Sequence, residues 1–145
     1  MEIFWDEIPV FTKKYLKVVD ITDKMKEIVE KRKIKEGSIL IYNPHVTSAI
    51  TINEPDSELW DDLLEAYQRL VPLKADYHHN AKYRGIPREE NAHAHILNTF
   101  IGQSVTIPIR EGRLLLGTWQ AILYIELDGG KQRNLIVQTA KIGGE

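Results

Sequence analysis

Between His45 and Asp62 the chain sets out a histidine, a run of β-branched and small residues, the amide Asn53, the carboxylate Glu54, and then the acids Asp56, Asp61 and Asp62. Read as a strand, Val46 to Asn53 carries polar groups at both ends of an otherwise buried element, which few purely structural roles require. A carboxylate at a strand end, just before the Pro55 turn, is firmly held yet reaches a cleft. Glu54 is therefore the first candidate to activate water or a substrate. Against it stands a helix-start acid that serves only the dipole. Asp61 and Asp62 read individually as structural or solvated, although one of the two on the following helix is placed to face back toward His45.

All five histidines, His45, His78, His79, His93 and His95, fall within one window from residue 45 to residue 95. Neutral imidazole is both a metal ligand and an acid–base group. A chain without cysteine builds a metal site only from His, Asp, Glu and amides. Two positions along a helix turn His93 and His95 about 200° apart, so one of them is expected to face a site. Were the segment a strand, both would point the same way. A three-ligand metal site and a hydrogen-bonded surface cluster both remain open. Asn91 reads as the cap of a short helix, Ala92 to Phe100, whose free N–H groups suit a phosphate or carboxylate. Arg84, Arg88, Arg113 and Arg133 are candidate phosphate partners, each weighed against an ordinary solvated arginine. Neither a Gly-x-Ser-x-Gly elbow nor a phosphate-binding Gly-rich loop is present. Trp119-Gln120 reads as core packing plus one amide.

The elements that must position these groups follow from periodicity. Ile8–Phe11 and Leu16–Val19 read as paired strands about a Thr12-Lys13-Lys14 turn. Thr22 or Asp23 caps a helix with Met25, Ile28 and Val29 as its apolar stripe, closed by cations and Gly37. Ser38–Tyr42 is a strand, and Ser57–Val71 is a helix with Leu59, Leu63, Tyr67 and Leu70 on its buried side. Residues 74–90 form a long polar loop, itself mild evidence of a site. Val105, Ile107 and Ile109 alternate, and Glu111-Gly112 turns. Leu114–Leu127 reads as one long strand bent near Gly117, with Trp119, Ala121, Leu123, Ile125 and Leu127 on one face. Asp128-Gly129-Gly130 signals a hairpin into Asn134–Thr139. The grouping gives an α+β class, a single domain over residues 1–145 with about seven strands and two to three helices.

Composition is ordinary, 43% apolar and 28% charged, and the formal charge of −2 leaves no basic stripe for nucleic acid. No apolar run approaches the roughly 20 residues of a membrane span. The acidic N-terminus lacks signal-peptide character, so a cytoplasmic location is expected.

With these residues in hand, the chain resembles the YjbQ family of small proteins, also described as secondary thiamine-phosphate synthases. The resemblance is carried by His45–Glu54, Asp62, Tyr77 with His79 and Asn80, and Asn91-Ala92-His93-Ala94-His95. It continues through Gly102, Gly112-Arg113-Leu114, Leu116-Gly117-Thr118-Trp119-Gln120 and Asp128-Gly129. It implies a two-sheet β sandwich assembled as a homotrimer. The implied site holds His45, His79 and His95 as metal ligands, with Glu54, His45, His95 and Asp62 as catalytic groups. Asn53, Asn91, Arg113, Gln120 and Arg133 would bind substrate. Two departures stand out: Val46 replaces a common threonine, and Gly130-Lys131 replaces Pro-Arg, leaving Arg133 as the nearest matching basic residue. Thiamine-phosphate synthesis joins a pyrimidine diphosphate to a thiazole phosphate with loss of pyrophosphate. That reaction favours magnesium, whereas three histidines favour zinc. The reading that results is an enzyme acting on a small phosphorylated or anionic metabolite. The alternative is a non-catalytic trimeric protein that binds a small anion or metal.

Overall fold

The computed structural model describes residues 1–86 and 90–143. Its elements are β1 Glu2–Phe11, β2 Lys17–Asp20, α1 Thr22–Lys31, β3 Gly37–Tyr42, β4 Ser48–Asn53, α2 Ser57–Leu70, α3 His78–Ala81, α4 Ala92–Ile101, β5 Ser104–Arg110, β6 Arg113–Leu114, β7 Ala121–Glu126 and β8 Gln132–Lys141. They form two antiparallel sheets, ordered β1-β8-β3-β5-β6 and β2-β7-β4. The α+β class holds, with eight strands and four helices among the described residues. No helix there is long and apolar enough to cross a membrane.

One core lies between the sheets. Ile39, Ile41, Ile107, Leu135 and Val137 from the large sheet meet Ile50, Ile122 and Tyr124 from the small one, and Met25 and Ile28 of α1 close its end. A second core backs the small sheet, where Ala49, Leu123 and Ile125 meet Ala94 and Leu97 of α4 and the half-buried Trp60 and Tyr67 of α2. Strand β7 is thus buried on both faces, and this is why Ala121–Leu127 is continuously apolar except at Glu126.

Several local expectations change. β1 does not pair with β2: it runs against β8, from Glu2 opposite Lys141 to Phe11 opposite Gln132, while β2 pairs with β7. Likewise Asp128-Gly129-Gly130 does not close a hairpin but carries the chain from the small sheet to the large one. Both connections cross at one point, where Gly130 N–H donates to Thr12 O at 2.9 Å. A side chain on Gly129, whose φ is +78°, would lie 2.5 Å from the Lys14 carbonyl oxygen. Leu114–Leu127 is not one strand, because β6 ends at Leu114 and residues 115–120 leave the sheet. Trp119 is 70% exposed rather than core. On α2, Trp60, Leu64 and Tyr67 face the core, while Leu70 is exposed. The N-cap of α1 is Ile21 rather than Thr22 or Asp23 and offers no side-chain cap, while Asp20 Oδ1 just before it accepts from Thr22 N–H at 2.9 Å. Within the expected loop lies the short α3.

A buried ion pair joins the two sheets. Arg133 donates from Nε to Glu126 Oε1 at 3.1 Å, and from Nη2 to Oε2 at 2.7 Å and to Thr47 Oγ1 at 2.8 Å. Glu126 also accepts from Tyr124 OH at 2.7 Å and from the N–H groups of Asp128 and Gly129 at 3.1 and 2.9 Å. Burial pushes the Glu126 carboxyl up, but the Arg133, Gly129 and Tyr124 bonds outweigh it and hold the group below the ordinary carboxylate range.

Arg133→Leu would strand a buried carboxylate, and a stability loss of about 3–5 kcal/mol is expected in urea titration. Replacing both partners with leucine should recover much of that loss. Because the folded Glu126 value is depressed, the pair's contribution is complete above the ordinary carboxylate value of about 4.3. It should fade as pH falls through the lower folded value. A single-variant loss below about 1 kcal/mol would show that the pair does not hold the sheets together.

Candidate functional site

The start of α4 is built from three directions. Asn91 occupies the N-cap position, yet its side chain makes no cap bond and instead donates to Asp128 Oδ2 at 2.9 Å. The cap comes from α3, where Asn80 Oδ1 accepts from Ala92 N–H at 3.0 Å. That bond takes up an N–H group expected to be open to an anion. Asp128, thrown outward by the turn after β7, also accepts from Lys131 Nζ at 2.7 Å.

Around this knot sit three imidazoles. His93 is 4% exposed, with Nε2 3.0 Å from the Leu127 carbonyl. A carbonyl only accepts, so Nε2 carries the proton and Nδ1 the lone pair, and that buried Nδ1 has no partner. Burial lowers the His93 pKa, against opposing effects of the Leu127 bond and the Asp128 charge. His95 lies on the other side of the helix, its ring 4.8 Å from that of His79, which packs in turn on Tyr83 at 5.3 Å. Burial, and then the neighbouring His79, lower the His95 pKa, and the Asp128 charge opposes them. Beside His93 opens a cleft of about 560 Å³, lined among others by Tyr15, Tyr77, Asn80, Arg84 and Asp128.

The other sequence candidates fall elsewhere. His45 precedes β4, its Nε2 facing the Asn134 backbone at 3.1 Å from N and 3.2 Å from O, so either tautomer is anchored there. Among the described residues no group of three or more His, Asp or Glu could hold a metal, so His45, His79 and His95 do not form a ligand set within one chain. Glu54 is half-buried and Asp62 exposed, neither in the cleft lining. Asn53 Oδ1 accepts from Glu54 N–H at 2.8 Å, and Gln120 Oε1 from Gly117 N–H at 2.8 Å. Arg133 is not a free phosphate partner, because Glu126 and Thr47 occupy its guanidinium. Arg113 lines a different cavity, Arg84 lines this cleft, and Arg88 lies outside the described residues. Asp128 and Lys131 belong in the sequence to a turn and to the family pattern, and Asn80 to that pattern, with no site role of their own. Of the three, only Asn80 also falls in the polar loop over 74–90.

Comparison with known proteins places this geometry in company. The sequence profile of the family described as UPF0047 protein YjbQ-like matches residues 6–142. A UPF0047 protein of Archaeoglobus fulgidus is 40% identical over 91% of this chain and 98% of its own length. The UPF0047 protein YugU of Bacillus subtilis is 31% identical over 90% of this chain and 95% of its own. The crystal structure of a YbjQ-like protein of unknown function from Sulfolobus solfataricus superposes with a TM-score of 0.89 at 38% identity, covering 97% of this chain and 98% of that one.

The electrostatics of the cluster are open to NMR titration of the imidazoles. His95 should titrate below the ordinary histidine value of about 6.5. Its midpoint should rise in His79→Gln and fall further in Asp128→Asn. A midpoint indifferent to both substitutions would remove the cluster as an electrostatic unit.

Proposed function

The chain belongs to the YjbQ-like UPF0047 family, and we propose that its α3–α4 face is an acid–base site for a small phosphorylated or otherwise anionic metabolite. One observation carries the reading: three imidazoles and Asp128 gather where α3 meets α4, and two of the imidazoles, His93 and His95, are held toward the neutral form. A neutral imidazole accepts or relays a proton near pH 7, where a carboxylate is too weak a base and a lysine is already protonated. In this reading His95, beside His79, exchanges the proton. Asp128 orients the groups around it, and Arg84 and Lys131 balance ligand charge.

The transfer implied by the family resemblance suits such a face. A ring nitrogen forms a bond to carbon as the carbon–oxygen bond breaks, and diphosphate departs with the electron pair. The cleft lining offers Lys74 and Arg84 to that leaving group, alongside the carboxylates of Asp76, Glu90 and Asp128. His79 and His95 supply two nitrogen donors, short of the usual protein set for zinc, and magnesium would find mainly Asp128. A metal therefore fits only with ligands from outside this cluster, and no step here passes through one. Of the three imidazoles only His93 lines the cleft, while His79, His95 and Lys131 stand outside its lining, as do His45, Asn53, Glu54, Asp62 and Gln120. In this reading the exchanging pair His79 and His95 works on the α3–α4 surface, and the other five serve it only across a subunit boundary.

The assembly we propose is the homotrimer. It is supported by an apolar groove of about 360 Å³ between α2 and α4, with Leu70 and Phe100, each 75% exposed, at its edges. Light scattering on the wild-type chain should return three times the chain mass, and Phe100→Glu should shift it to monomer. A monomeric wild type would overturn the assembly.

The activity is tested by supplying the pyrimidine diphosphate and thiazole phosphate together and following the joined product and released pyrophosphate. His95→Ala should lower turnover by about 100-fold or more while leaving the melting temperature near wild type. Turnover unchanged in His95→Ala would refute the acid–base role. A ligand-induced rise in melting temperature without product would favour the non-catalytic binding protein instead.

A further inference from the structure

A second cavity is lined by none of the histidines. It measures about 810 Å³ and lies between the second half of α1 and the β5–β6 turn. Its floor is apolar, formed by Val29, Ile34 and Leu114. Its rim carries Lys26, Lys33, Lys35, Arg113 and Lys141 against the single carboxylate of Glu30. Among the described residues none of those five cations enters an ion pair. In a chain whose formal charge is −2, this is a local concentration of positive charge that composition does not supply.

Helix stabilisation does not account for it. Cations at a helix C-terminus complement the dipole, but at α1 that place is taken by Lys31 and Arg32, both paired with Asp6 at 2.7 and 2.9 Å. Lys26 stands mid-helix, while Arg113 and Lys141 arrive from β6 and β8. Their convergence is a product of the fold: Gly112 N–H donates to Lys35 O at 3.0 Å, which fixes the β5–β6 turn against the end of α1. Like charges gathered around an apolar hollow repel one another, and a bound anion relieves that repulsion.

We propose that this cavity is a second ligand site, for a soluble amphipathic anion whose apolar body rests on Val29, Ile34 and Leu114 and whose phosphate, sulfonate or carboxylate head meets the cationic rim. The apolar residues favour a soluble ligand over a membrane surface. Val29 and Ile34 are 3% and 2% exposed, recessed below the charged rim, whereas insertion into a bilayer needs apolar groups that protrude. The cavity volume falls in the range of small-molecule sites, about 300–1,000 Å³. Arg113, expected from the resemblance to bind substrate, lines this cavity.

Anilinonaphthalene sulfonate, an aromatic anion, is a direct probe. Its fluorescence should rise saturably on binding the full-length protein, and its affinity should fall about tenfold in the double variant Lys33→Glu, Lys35→Glu. Both lysines are exposed, so the variant should melt with the wild type. Phenylnaphthylamine, which carries no charge, should bind more weakly than the sulfonate and be indifferent to the substitutions. Equal sulfonate affinity in wild type and variant would overturn the proposal. So would equal binding of the neutral probe, or a change in oligomeric mass in the variant, which would mark the cavity as a contact between copies of the chain.

Discussion

The pairing of Glu126 with Arg133 is the constraint from which the arrangement of the candidate site follows. A carboxylate on β7, at the junction of the two sheets, must have its oxygens satisfied or the burial is prohibitive. Arg133 meets part of that demand from β8, and the N–H groups of Asp128 and Gly129 meet another part. Once those amides point inward, the Asp128 side chain points outward, toward Asn91 and Lys131. The carboxylate felt by both His93 and His95 is therefore placed by a second carboxylate two residues away that never touches them. Thr47, held by the same guanidinium, steadies the segment that carries His45.

The other half of the positioning comes from β7. Because it is covered on one face by the large sheet and on the other by α4, the helix that presents His93 and His95 is packed on the most buried strand in the fold. Its N-terminus is tied by Asn80 and Asn91, and Gly102, with φ of +121°, stops it. Little freedom remains to the backbone of the helix, so chemistry on this face depends on side-chain protonation more than on segment movement.

Much of this was legible in the sequence, and the failures share a cause. Periodicity and caps place β3, β5 and α4 nearly to the residue and the start of α1, because each buries one face, although α1 stops at Lys31 ahead of the cations expected to close it. Gly129 and Gly130 were read as a hairpin because turn chemistry reports a reversal of direction and not which sheet the next strand joins. Trp119 was read as core because an aromatic residue in a strand-like run is usually buried, yet the chain leaves the sheet at Leu115. Arg133 resembled a solvated arginine since nothing local marks Glu126 as its partner. Asn80 caps a helix that starts twelve residues later, a relation no local motif encodes.

The order of the large sheet has a consequence for how the protein is made. β1 is synthesised first and β8 last of the strands, yet β8 lies between β1 and β3. Until it emerges from the ribosome, β1 has no sheet partner and β3 has one open edge. Every pairing of the first strand waits on the last, a topology of long sequence separations that slows folding. In the interval an extended, partly apolar segment from Glu2 to Phe11 stands unpaired, the kind of edge on which neighbouring nascent chains add strands. Translation of the final strand is thus the step that gives β1 its partner, and β1 remains the edge of the large sheet.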